Sequence, residues 1–254
     1  MLTKIDNIYL LGTSHVSKES SKEIEDTIKS LKPEVIGIEL DYGRLKGLLN
    51  PSAKKPKITT MVKEFGVFGA MFALLAGSMQ RRVAQHLGVE AGIDMKQAYI
   101  CAREHKIPTA LIDQNVRITL RKFSKMRFTK KISTAWNLFT KSFKKEYRQK
   151  TNFDVKKGVL SNEKLLEILQ IVKKEAPAFY NILIHERNII MAKKLLELKQ
   201  VHQGPVLAVV GAGHVEGMKK YIEKELSLQI SKKNSTQTFS FTTKIENNQT
   251  NFKF

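Results

Sequence analysis

Two uncharged apolar runs, almost two hundred residues apart, end in the same turn, and this recurrence restricts the fold more than any other feature of the chain. Tyr9-Leu10-Leu11 opens into Gly12-Thr13-Ser14-His15-Val16, and Val206-Leu207-Ala208-Val209-Val210 opens into Gly211-Ala212-Gly213-His214-Val215. Short apolar runs bounded by turn residues read as strands buried on both faces, the signature of a parallel sheet. Each run is followed by apolar residues at helical spacing. A histidine just beyond the carboxyl end of a parallel strand faces the crevice where open α/β sheets bind ligands. Two such turns can bring two imidazoles to one place despite their separation along the chain.

The segments between continue the alternation. Tyr9–Thr13 is a strand, followed by a helix over Ser17–Leu31 with Ser20 and Glu23 spaced as a capping box and Pro33 as its stop. Val35–Leu40 is a second strand ending in Glu39-Leu40-Asp41, followed by a short helix near Tyr42–Leu49. Asn50–Pro56 reads as a loop, and Ile58–Leu87 and Ile93–Lys106 as helices. Thr109–Asp113 is a third strand ending in an acid. Leu160–Lys174 and Ala178–Leu198 carry apolar residues at three- and four-residue spacing. Gly204-Pro205 then feeds the strand before His214, and Met218–Leu226 is helical. Strand–helix alternation predicts right-handed crossovers. The expected fold is one α/β domain over residues 1–230: a mainly parallel or mixed sheet flanked by helices, with a large helical insertion from about residue 50 to 200. Residues 231–254 form a polar tail in which Thr238–Thr243 alternates as an edge strand would, the final residues being expected to lack order.

Composition narrows the setting. The formal net charge is +20, which favours anionic partners and says nothing about fold. Cys101 is the only cysteine, so no intrachain disulfide forms and a reducing cytoplasm is expected; within its helix it reads as a small buried apolar side chain. The N-terminus shows no signal-peptide pattern. The uncharged window Phe65–Met79 falls short of the roughly 20 residues a membrane span needs, and reads as a buried or interfacial helix. Residues 117–150 hold twelve Lys or Arg and one acid, interleaved with Phe123, Phe128, Trp136, Phe139 and Phe143. Such a segment suits an anionic membrane surface, which would make the protein peripheral at the inner membrane face, or a solvated helix face over a core. Single-stranded nucleic acid is the least favoured partner, since no recognised binding module accompanies the charge.

The strand ends carry the chemistry. They offer His15, Glu39 with Asp41, Asp113, and His214. Two histidines and a carboxylate with open positions form a standard ligand set for a catalytic divalent metal, which lowers the pKa of bound water. Glu186-Arg187 lies in the helix preceding the last strand. Adjacent helical positions face different ways, so only one of the two points at the sheet. Ser14 lacks a Gly-x-Ser-x-Gly surround, and the glycines at 12, 211 and 213 do not complete a dinucleotide fingerprint. His86, His105, His185 and His202 read as surface residues.

Taken in order, several stretches resemble the TraB/PrgY pheromone-shutdown family, which is related to the Tiki-type metalloproteases. They are Leu11-Gly12-Thr13-Ser14-His15-Val16-Ser17, Pro33–Asp41 with Arg44, Leu87–Met95, Leu111–Val116 with Thr119, Leu120 and Arg121, Glu186-Arg187, and Val209–Val215. The resemblance reaches to about Leu226. It implies a Tiki/TraB-like fold and a metal-dependent hydrolytic site of peptidase type, with manganese, cobalt or zinc as the ion. It places His15, His214 and Glu39 as ligands, with Glu39, Glu186 and Arg44 or Arg187 as the catalytic set, an arginine stabilising an anion or carbonyl, and Asp41, Asp94 and Asp113 orienting the ligands. Three positions depart from the family pattern: Asp94 stands for a glutamate, Gln114-Asn115 for an Arg-Asp step, and Asn188 for an acid. The amides coordinate without adding charge, which favours weaker metal binding or a structural role there. Members often carry C-terminal membrane spans, and none is expected here. The sequence therefore points to a metal-dependent hydrolase acting on peptides, with a non-catalytic protein that sequesters a peptide or docks on membranes as the alternative.

Overall fold

Val206–Gly211, the last of the described strands, lies in the middle of the sheet, and every one of its residues is buried. In a computed structural model, which describes residues 2–13, 18–50, 57–86, 92–125 and 162–249, it is β5. The five strands are ordered β1-β2-β5-β3-β4: β1 (Leu2–Ile5), β2 (Ile8–Thr13), β5, β3 (Val35–Ile38) and β4 (Thr109–Leu111). All pair in parallel except β1, which forms an antiparallel hairpin with β2. The α/β class expected from the alternation is the class observed.

Alternation within the strands assigns the two faces. Ile8 and Leu10 of β2 and Val206, Ala208 and Val210 of β5 pack under α8 (Glu186–Val201) and α9 (Ala212–Gln249), through Met191, Leu195, Val215, Met218 and Ile222. Leu11, Ile36, Ile38, Leu207 and Val209 pack on the opposite side against α1 (Lys18–Leu31), α2 (Tyr42–Leu49) and α4 (Ile93–Glu104). The result is a three-layer sandwich. Val35 and Gly37 belong to the first face, so Glu39, two residues further, emerges beneath α8 and α9. Cys101 is buried in the second core, as expected.

The remaining helices among the described residues are α3 (Ile58–His86), α5 (Val116–Lys125), α6 (Asn162–Glu175), the single turn α7 (Pro177–Tyr180) and a π-helical turn, Asn181–His185, that runs directly into α8. Phe72, Phe123 and Phe179 tie α3, α5 and α7 together, the first two rings stacking at 4.2 Å. The apolar window is half covered: Phe65 and Ala70 are buried, while Val67, Met71 and Leu74 are exposed. Among the described residues no helix is long and apolar enough to cross a membrane.

Several sequence expectations change. The first strand is the second, because Leu2–Ile5 precedes it through a turn in which Asp6 adopts φ 55°. The first helix starts at Lys18, which puts Ser20 and Glu23 inside it and not at its cap; that spacing also marks any same-face pair within a helix. Thr238–Thr243 is helical within α9. No glycine or proline interrupts the chain after Gly217, and six alternating residues without a partner strand do not make one. His15, Ser14 and Ser17, the 87–91 stretch, residues 126–150 of the basic segment and the last five residues lie outside the described residues.

Candidate functional site

The carboxyl ends of β3 and β5 place Glu39 and His214 in contact. Both are buried, and His214 Nε2 lies 3.2 Å from Glu39 Oε1. The backbone N–H of Gly211, where β5 ends, donates to Glu39 Oε2 at 2.6 Å. The other ring nitrogen, Nδ1, meets Asn188 Oδ1 of α8 at 2.6 Å. An amide oxygen only accepts, so Nδ1 donates to Asn188 and Nε2 is the ring nitrogen facing the carboxylate. A ring nitrogen and a carboxylate oxygen at that distance are joined by a proton or a cation between them.

Arg187 closes the other side. Its Nη2 bonds Glu39 Oε1, and its Nε and Nη2 bond Asp113 Oδ1 and Oδ2 at 3.0 and 2.6 Å in a two-pronged pair. Nη1 donates to the carbonyl of Leu183, in the π-helical turn, at 3.0 Å. Asp113 also bonds Arg44 Nη2, and Arg44 Nε reaches Asp41 Oδ2 at 2.6 Å. Asp41 Oδ1 caps α2 by accepting from the backbone of Gly43 and Arg44. A chain of alternating charge thus runs Glu39–Arg187–Asp113–Arg44–Asp41 along the sheet edge. Burial opposes the charge on Asp113, but Arg187, with Arg44 behind it, holds its carboxyl below the usual range. Burial likewise works against the Arg187 guanidinium, and Glu39 and Asp113 outweigh it, raising its pKa. Arg44 behaves the same way, with Asp113 and then Asp41 outweighing its burial.

The predicted residues divide accordingly. Glu39, Asp113, Arg187 and His214 converge, with Arg44 and Asp41 extending the network. Arg187, not Arg44, is the arginine on Glu39. Glu186 faces away: it pairs with Lys122 Nζ and accepts from Asn181 Nδ2 at 2.9 Å. Asp94 is fully buried in the first turn of α4, which packs on α1 and α2. Thr13, the last described residue before His15, pairs with Gly211 across β2 and β5; His15 itself lies outside the described residues. Among the described residues no three His, Cys, Asp or Glu side chains form a group able to hold a metal ion. Two contributors, Lys194 and Gly217, were missed, and Asn188 was read only as an acid's replacement. Asn188 is the partner of His214, Lys194 Nζ donates to the carbonyls of Leu111 and Asp113 at 3.0 and 3.1 Å, and Gly217 leaves the space Asn188 occupies. Position relative to the motifs was the available signal, since Asn188 adjoins Arg187 and Gly217 follows His214 by one helical turn.

Residues 2–226 match the TraB/PrgY/gumN family. The chain belongs to that family. An uncharacterised protein of Methanocaldococcus jannaschii is 34% identical over 219 residues, covering 86% of this chain and 54% of that protein. TraB domain-containing proteins of Mus musculus and Homo sapiens are 24% and 23% identical over 250 residues, covering 87% of this chain and 64% of theirs. The chain spans between about half and two thirds of the length of these relatives.

Proposed function

We propose that this TraB-family domain is a divalent-metal-dependent hydrolase of peptide-like bonds, centred on His214 and Glu39. The observation that carries the reading is the buried pair itself: an imidazole anchored through Nδ1, with Nε2 3.2 Å from a carboxylate oxygen. Two ligands on one ion with bonds of about 2.1 Å lie about 3.4 Å apart in tetrahedral geometry, so the donors present fit a shared cation. His214 and Glu39 would hold the ion, with His15 as the third ligand contributed from the end of β2. When bound, the ion supplies Lewis acidity and an activated water near neutral pH. Asn188 sets the ring tautomer, and Asp113 holds Arg187, which keeps a donor beside Glu39 where a substrate carbonyl or an anionic product is neutralised.

A second reading, a non-catalytic domain that sequesters its ligand, has one observation in its favour. Glu39 already accepts from Arg187 and Gly211 and so is satisfied without an ion. Metal analysis of purified protein separates the two. The hydrolase reading expects stoichiometric manganese, cobalt or zinc, lost in His214→Ala and Glu39→Gln together with peptidase activity. Protein that takes up none of these ions, or hydrolyses peptides equally well after both substitutions, overturns it.

A further inference from the structure

Behind the His214 turn lies a second feature, outside the charge network. A cavity of about 930 Å³ opens between α6, the π-helical turn, α8 and α9. Its volume falls within the range of about 300–1,000 Å³ typical of small-molecule sites. Leu169, Ile189, Tyr180 and Tyr221 give it apolar and aromatic walls. Lys173, Lys220 and Lys224 stand around it against a single acid, Glu216, which Lys220 already pairs at 3.0 Å. Lys173 Nζ is held 5.7 Å from the Tyr180 ring centroid, which keeps its charge at the wall.

Asn188 reaches this cavity from beneath. Only 3% of the residue is exposed, and its Oδ1 is spent on His214. Its Nδ2 lies on the opposite side, against Gly217, where any β-carbon would overlap it. Gly217 lines the cavity as well. Among the described residues Nδ2 has no hydrogen-bond acceptor, and both Asn188 and Gly217, against which it lies, line the cavity, so a donor on a largely buried side chain is offered to a basic, aromatic-walled space. Among ligand groups that could accept from such a donor, an oxyanion makes the strongest, charge-assisted bond.

We propose that this cavity is a binding site for a small organic oxyanion with an apolar or aromatic body, its head group accepting from Asn188 Nδ2 and its approach guided by Lys173 and Lys224. The site does not depend on the hydrolase reading. It adjoins the residue that orients His214, so a ligand bound here touches the same amide from the other side. The lysines act through long-range attraction and are screened by salt, whereas the buried amide contact is not.

The test uses 2-naphthoate, 2-naphthyl phosphate and neutral 2-naphthamide, titrated into the full chain by calorimetry. Both anions are expected to bind, the tighter naming the head group, and the amide at least about tenfold more weakly, as a charge-assisted bond requires. Asn188→Asp replaces the donor by an acceptor and is expected to weaken naphthoate by more than about tenfold at every ionic strength. Lys173→Gln with Lys224→Gln weakens it at low salt and converges on the wild type at high salt. Equal affinity for naphthamide overturns the proposal, as does unchanged affinity in both variants. The lysine double variant decides if Asn188→Asp fails to fold. Anion binding by protein that takes up no metal would remove the hydrolase reading and leave this site standing. Metal uptake without anion binding would do the reverse.

Discussion

Replacing Arg187 by methionine isolates the energetic centre of the site. The guanidinium, with a side chain 15% exposed, spans two carboxylates whose side chains are 5% and 0% exposed. Methionine fills most of its volume but leaves Glu39 and Asp113 without the charge that joins them. Glu39 keeps Gly211 N–H and His214, and Asp113 keeps Arg44 and the N–H of Gln114. Removing one partner of a buried ion pair costs about 3–5 kcal/mol, because the partner left behind stays buried and charged. With about 2–4 °C per kcal/mol in a domain of this size, Tm is expected to fall by about 6–20 °C at pH 7, read by circular dichroism or calorimetry. Glu39→Gln combined with Arg187→Met removes one of the stranded charges. The double variant should therefore lose about 0.5–3 kcal/mol less than the sum of the singles. A single variant within about 1 kcal/mol of wild type, or strict additivity, would refute the view that Arg187 neutralises two buried carboxylates.

Other outcomes follow from the same geometry. The Asp113 carboxyl is held below its ordinary value, so its stabilisation is complete above the unfolded-state pKa of about 3.9 and is lost as pH falls through the lower native value. Urea unfolding between pH 5 and 8 should show no slope from this group, with the loss confined to more acidic solution. Gly217→Ala forces the new methyl against Asn188 Nδ2 and should cost about 1–3 kcal/mol and shift the His214 ring resonances in NMR spectra. Leu195→Ala, which empties a fully buried position between α8 and the sheet, should cost about 2–5 kcal/mol by urea titration. Gly66→Ala introduces a β-carbon at φ 67° against Ser124 Oγ and should cost at least about 1 kcal/mol, a loss visible as faster amide exchange in α3 and α5.

The parallel strands were legible because a strand buried on both faces reads as an unbroken apolar run, which Val206–Val210 and Val35–Ile38 display plainly. Glu39 and Asp113 were legible as polar residues immediately following such runs. Leu2–Ile5 was not: four residues with Thr3 and Lys4 between the apolar ends hold as a strand only through their hairpin with Ile8–Leu11. Nor could the sequence choose between Arg44 and Arg187. That choice rests on the rotation of α8, set by Met191, Ala192 and Leu195 entering the core and delivered through a π-helical turn that no periodicity announces. Asn188 read as a missing charge, whereas in the structure it supplies the hydrogen bond that orients the histidine.

The position of β5 carries a consequence for how such a chain comes into being. β2 and β3, made early, are not neighbours: β2 pairs with β1 and β3 with β4, and the two pairs are joined only through β5, which lies between them. A chain emerging from the ribosome therefore holds two separate half-sheets, each with an unpaired edge, until residues 206–211 arrive. Closing them demands contacts across nearly the whole polypeptide, a slow step that leaves those edges open to aggregation and chaperone capture. The same strand brings His214 with it, so Glu39 meets its histidine only when the sheet is closed.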